Sequence, residues 1–302
     1  MAMTSRSINQ SLWNGSVLLL FILFSFSACK DKKSSAGSGE GITLAMQLKE
    51  GDKFTLDVDT KMNIDMAIMG QEMTTTMNIG GVSDFDVVKN DGTTKQVALT
   101  YKNFKMEGGV KMGDKESPIP DNGIGERMQN KRVVLTMNEK NEITAVSGTD
   151  SLMDAMSTDA QSRTQLEQMF SEQQLNSMFG QSFQFYPDKP VKPGDKWNKD
   201  IKVNTGSMDV KMKTEYELVE VKGDIAVIRS VGKIDSKGKM NQNGIEMEVD
   251  MNGTASGTMN VGVKDGYIRD GRQTMDLTAN AEAMGQKIPM KMKMENIVKG
   301  SR

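Results

Sequence analysis

From Phe54 to Ile68 the chain alternates apolar and polar residues with few exceptions. Phe54, Leu56, Val58, Met62, Ile64, Met66 and Ile68 share one parity, with Thr60 among them. Thr55, Asp57, Asp59, Lys61, Asn63 and Asp65 share the other. Side chains of a strand point alternately to its two faces, so this period predicts a strand with one dry and one wet face. At about 3.3 Å per residue such a strand spans about 50 Å if straight. Sheets of strands that long twist and curl, because each strand carries a right-handed twist.

The alternation continues after Gly70-Gln71, read as a two-residue hairpin with glycine at its first position. Pairing Met69 with Glu72 sets Ile68 against Met73, Ile64 against Met77, Met62 against Ile79, Leu56 against Phe85 and Phe54 against Val87. Apolar meets apolar throughout, and a slip by one residue would pair dry faces with wet ones. The same device recurs at Gly285-Gln286. There the expected pairs are Ala281 with Met290, Ala279 with Met292 and Leu277 with Met294. Further strands are read from Met208 to Leu218, Ile225 to Ile234, Ile245 to Met251 and Met259 to Val263. Turns are expected at Asn90-Asp91-Gly92, Gly223-Asp224, Asn252-Gly253 and Asp265-Gly266, and a loop at Gly108–Gly113.

A longer repeat lies above these hairpins. Leu48-Lys49-Glu50-Gly51-Asp52-Lys53-Phe54 matches Val191-Lys192-Pro193-Gly194-Asp195-Lys196-Trp197, and each copy opens a run of strands. Between the runs, Ser171-Glu172-Gln173-Gln174 reads as a capping box and Gly180 as a helix stop. Leu166, Met169, Phe170, Leu175, Met178 and Phe179 make an apolar stripe. The expected organisation is a first β unit over 42–150, a helical insert over 151–185 and a second β unit over 186–302. The expected fold is mainly β: one long, curved, half-barrel-like antiparallel sheet from two similar units, with the central helices packed on its concave side.

The N-terminus predicts an address. Arg6 precedes the apolar run Val17–Phe24, too short for a comfortable transmembrane helix, and small residues follow it. Phe26-Ser27-Ala28-Cys29 is similar to a bacterial lipobox, and Cys29 is the only cysteine in 302 residues. That resemblance implies a signal peptide over 1–28, cleavage before Cys29, and a diacylglycerol thioether and acyl chain there. Lipid chains hold a protein on a bilayer because each buried CH₂ contributes roughly 0.8 kcal/mol. Residues 29–41, rich in Lys, Ser and Gly, read as a flexible tether. Lys30 after the cysteine implies, by the familiar sorting rule, the outer membrane, with either side open.

The chain has no histidine, which excludes a Ser-His-Asp triad, a His-ligated metal and a His-held haem. A net charge of -2 supplies no general attraction to nucleic acid. The acidic groups Asp57 with Asp59, and Glu246, Glu248 with Asp250, fall on wet strand faces where solvent keeps a carboxylate ordinary. Asp121-Asn122-Gly123 lacks the spaced ligands of a calcium loop. No P-loop is present. No catalytic residue, metal site or cofactor is expected, and no enzyme.

The 27 methionines remain to be explained. Methionine is flexible and polarizable, fills irregular gaps and lines adaptable binding surfaces. Three readings stand. The first is a methionine-filled core in a structural or surface-interaction protein. The second is an apolar cavity lined by Met62, Met66, Met73, Met77, Met290, Met292 and Met294, taking a hydrophobic small molecule or lipid. The third is Cu(I) held by thioethers such as Met290, Met292 and Met294, against which stand the flanking lysines.

The segments Gly51-Asp52-Lys53-Phe54, Met69-Gly70-Gln71 and Phe185–Trp197 resemble those of uncharacterised outer-membrane lipoproteins of the Bacteroidota type, over most of the chain. The architecture is also similar to half-barrel lipoprotein carriers, which hold acyl chains between a curved sheet and helices. The first resemblance implies an envelope lipoprotein without assigned activity. The second implies a fold and no residue roles.

Overall fold

The computed structural model describes residues 41–302 apart from 69, 121–122, 140, 158, 161–162, 164–184, 205–207, 243–244 and 284–285. The expected signal peptide, Cys29, nearly all of the tether, and the capping box and stripe of the insert lie outside the described residues. The first run of strands is β1 Lys53–Ile68, β2 Gln71–Asn90, β3 Thr94–Met112, β4 Lys115–Pro118, β5 Arg132–Asn138 and β6 Ile143–Ser147. Two short helices, α1 Ile124–Met128 and α2 Thr149–Met156, sit within and after it. The second run is β7 Lys196–Asn204, β8 Met208–Lys222, β9 Ile225–Gln242, β10 Ile245–Gly262, β11 Ile268–Ala283 and β12 Gln286–Ser301.

All twelve strands form one antiparallel sheet in the order β6-β5-β3-β2-β1-β12-β11-β10-β9-β8-β7, with β4 added beside β3. Each run is a meander, and they join where β1 pairs with β12. The chain therefore leaves one edge at β6 and returns at the opposite edge at β7. Among the described residues these edges are not paired to each other, so the sheet is a curved, half-barrel-like sheet and not a closed barrel.

The two motif copies fold alike. In each, a glycine with positive φ (Gly51 at 85°, Gly194 at 92°) makes the turn. The Asp52 and Asp195 carboxylates accept from the Lys49 and Lys192 amides at 3.2 and 2.8 Å. Gly51 donates to the Val87 carbonyl in β2, and Gly194 to the Leu218 carbonyl in β8, at 2.8 and 2.7 Å. A register shift follows both acceptors. The same short sequence thus builds the same docking of a turn onto the next strand.

Several sequence expectations move. Both predicted hairpins are displaced by two residues: Ile68 pairs with Gln71 and Ala283 with Gln286. Met62 then faces Met77, Phe54 faces Phe85, Ala279 faces Met290 and Leu277 faces Met292. Gly70, with φ 78°, is the second loop residue instead of the first. A shift of two preserves every face, which is why dry still meets dry. Asn252-Gly253 is no turn, because β10 runs through it. A Cβ on Gly253 would lie 2.2 Å from the Asp276 carbonyl oxygen, so this glycine permits close approach of β11. Gly108 through Met112 belong to β3 and only Gly113 turns. The turns at Gly92, Gly223 and Gly266 stand, each with positive φ.

The base of the inner face, at the end away from the β1–β2 and β11–β12 hairpins, is filled solidly. Residues 42–48 run beside it, bridging Ile42 to Val191, and bury Leu44, Met46 and Leu48. Phe54 stacks on Phe85 at 4.6 Å and meets Tyr267 at the same distance. In the second copy Trp197 stacks on Tyr216 at 5.7 Å and donates from Nε1 to the Phe185 carbonyl. Ile124 and Met128 of α1, with Leu152 and Ala155 of α2, join the same core.

Candidate functional site

The strand registers resolve the inner face into levels. The lowest, crossing from β8 to β1, is Leu218, Ile228, Met259, Gly271, Val298 and Val58. Its apolar residues in β8, β9, β10 and β12 are almost wholly buried. It marks the top of the packed base.

The next level is polar. Tyr216 pairs with Ser230, Ser230 with Gly257, Gly257 with Gln273, Gln273 with Asn296, and Asn296 with Thr60. Hydrogen-bonding side chains from five of these six strands, with Gly257 of β10 among them, thus form one belt on a mainly apolar face. The Thr60 hydroxyl donates to Asn296 Oδ1 at 3.1 Å. Ser230 Oγ and Gln273 Nε2 are buried without a hydrogen-bond partner, while Tyr216 OH and, one level higher, Thr214 Oγ1 have only each other. These four residues are at most 2% exposed. Burial pushes the Tyr216 hydroxyl far above its usual value, against a hydrogen bond with Thr214 that acts the other way.

Above the belt lie the methionines. Met62, Met77 and Met294 stand side by side with Met275 at one level, 2–7% exposed. One level higher Met292 lies between Ile64 and Leu277. Above that Met66, Met73 and Met290 adjoin. These upper four methionines are half-buried, and Met112 beside Met73 is exposed. All seven predicted residues therefore share one patch of β1, β2 and β12, graded from buried at the belt to open at the hairpin ends. Met275 belongs with them; the alternation of β11 contained that signal. The belt residues escaped sequence reading, although Thr60 already stood out on its apolar face.

The inner-face positions of these levels carry no charge. Lys291 and Lys293, which flank the methionines in sequence, lie on the opposite face. A groove of about 790 Å³ crosses β3, β2, β1, β12 and β11, lined mostly by residues of that face and also by Met62, Met77, Met275 and Met294. Lys61, Asn78, Glu107, Asp276, Lys293 and Glu295 are among the residues that line it. Its charges are set opposite one another: Lys61 beside Glu295 and Lys293 beside Asp276. Arg272 contacts Glu295. Of the acidic residues on the wet face of β10, Asp250 pairs with Lys237 at 2.8 Å and Glu248 with Lys239 at 3.9 Å. Among the described residues no group of three or more His, Cys, Asp or Glu side chains is placed to hold a metal.

A clasp closes the base. Arg302 contacts Asp52, reaches Asp265 at 3.3 Å and lies 5.2 Å over the Tyr267 ring. Arg269 binds Asp265 at 2.6 Å. Partial burial opposes ionisation of Asp265. The Arg269 hydrogen bond, the Tyr267 amide and the two arginine charges outweigh it and hold the carboxyl below its ordinary 3.8.

A family of unknown function, DUF6263, matches residues 92–268, more than half of the chain. The chain belongs to that family. The match takes in Phe185–Trp197 but not Gly51–Phe54. No curated protein matches. Among solved structures, lipovitellin, in a study of its lipid–protein interactions, aligns with 85% of this chain and 26% of its own at 8% identity, with a TM-score of 0.49. The chain thus spans about a quarter of that protein. The COG4313 outer membrane channel of Pseudomonas putida F1 aligns over 89% of this chain and 100% of its own, at 9% identity and a TM-score of 0.24. The translocator domain of the autotransporter NalP from Neisseria meningitidis aligns over 84% and 89%, at 11% identity and a TM-score of 0.25.

Proposed function

We propose that this member of the family is an envelope lipoprotein, anchored to the outer membrane through Cys29, whose β body holds an apolar molecule against its methionine face. One observation carries the reading: seven methionines from three strands share a single inner patch that passes from buried to half-buried toward the hairpin ends. A core needing only rigidity favours Val, Ile and Leu, whose rotamers are better defined. The base of this same sheet is mainly aliphatic and aromatic, whereas half of the buried residues in the upper cluster are methionines. Soft side chains that grow more accessible toward an open end suit chains of varied shape.

Native mass spectrometry of the protein taken from its own host tests the reading. An added mass in the range of a lipid or other hydrophobic molecule supports it. A bare polypeptide, with no capture of a fluorescent fatty acid, removes it in favour of a structural or surface role. A copper mass would install the thioether alternative. Fatty-acid labelling of wild type but not of Cys29→Ser tests the anchor.

A further inference from the structure

The belt beneath the methionines specifies more than an apolar ligand, provided that the methionine face binds one, as proposed. Ser230, Gln273 and Tyr216 lie at one level, with Thr214 immediately above; Ser230 Oγ and Gln273 Nε2 are buried without a partner, and Tyr216 OH and Thr214 Oγ1 have only each other. Burying a hydrogen-bonding group unpaired forfeits its bonds to water, and native proteins seldom leave several together. These four occur where the packed base ends and the methionine levels begin. No lysine or arginine stands at these inner-face positions, so an ionised head group would enter without a counter-charge, which is strongly disfavoured.

We propose that the ligand is an uncharged single-chain amphiphile, a long-chain alcohol or monoacylglycerol, bound head inward. Its hydroxyl or ester would meet the belt and its alkyl chain would run along Met62, Met294 and Met292 to Met66 and Met290 at the open end. A hydroxyl both donates and accepts. It therefore suits a belt offering the Gln273 amide as donor and the Ser230, Thr214 and Tyr216 hydroxyls as either.

The full-length protein in lipid nanodiscs, exposed in parallel to diazirine-bearing hexadecanol, monopalmitoylglycerol and palmitate, tests this. Crosslinks are mapped by peptide mass spectrometry against empty-disc controls. The expected result is capture of the alcohol and monoacylglycerol on β1, β11 and β12 at least about fivefold above palmitate at neutral pH, the effect of one net hydrogen bond or more. In Ser230→Ala with Gln273→Met that preference should vanish while the crosslinks remain on the same strands. The isosteric pair Thr214→Val and Tyr216→Phe provides the same test if the first pair fails to fold. Equal or better capture of palmitate overturns the inference and leaves the ligand-binding reading intact. A preference that survives both pairs of substitutions also overturns it, since the belt would then be structural. No capture of any probe on the inner face overturns both.

Discussion

The base and the upper levels of the inner face belong to the same strands, yet they are built from different side chains. At the base, aromatic rings from both motif copies pack within one core: Phe54 stacks on Phe85 and tilts against Tyr267, and Trp197 stacks on Tyr216. In the upper levels methionine sits beside alanine and glycine, as where Ala279 lies between Met290 and Met251. Stiff side chains with few rotamers define one packing, whereas long thioethers accept several. The lesson is that a single sheet can be rigid at one end and compliant at the other without a domain boundary. A polar belt separates the two regimes.

The comparison breaks most visibly at Phe54. Phe54→Ala removes a ring stacked on one ring and tilted against another and should cost about 3–5 kcal/mol, read as a fall in the denaturant midpoint at constant m-value. A loss below about 1 kcal/mol would mean that the base is no tighter than the rim. Overpacking gives the next largest effect. Ala281, 3% exposed and set opposite Ile288, should lose about 1–3 kcal/mol on Ala281→Phe. Half-buried Ala279 should take Ala279→Phe with a smaller loss and weaker capture of an apolar probe. Equal losses at both would mean that the difference in burial between the two alanines carries no difference in packing.

The turn glycines sharpen the comparison within the base. Gly51→Ala and Gly194→Ala each force an L-residue into left-handed backbone and should cost about 1–2 kcal/mol apiece. Similar values, measured by thermal unfolding, would show that the two copies are energetically as well as geometrically equivalent. The clasp gives a pH signature confined to the base. Asp265 titrates below its ordinary 3.8 in the fold, so its contribution is complete above that value and is lost as pH falls through the lower, folded value. Asp265→Asn should lower stability at neutral pH and reduce its decline upon acidification. The smallest effect is expected at the rim, where Met66→Leu conserves volume and should change stability by less than about 1.5 kcal/mol.

Much of this was legible in the chain. The alternation from Phe54 to Ile68 determined a long strand and its wet and dry faces, because side-chain direction in a strand depends only on parity. The same rule placed the seven methionines on dry faces, and the Gly-Asp-Lys-aromatic repeat marked the start of both runs of strands. Parity cannot distinguish registers that differ by two, which is why both hairpins were displaced by that amount with their faces intact. Local turn chemistry also misled at Asn252-Gly253, where cross-strand packing against β11 overrode a strong hairpin signal.

Only the tertiary structure decided the rest. That β1 meets β12 brings residues more than two hundred positions apart into one methionine patch, and no local pattern encodes that contact. The belt is likewise a property of alignment. Thr60, Tyr216, Ser230, Gln273 and Asn296 are scattered in five separate strands, and read singly none of them marks a site. They become one row because the registers bring them to a single level. The chain by itself determined which faces are dry. The pairing of strands determined where along those faces the packing stiffens, where polar atoms are left without partners and where the methionines begin.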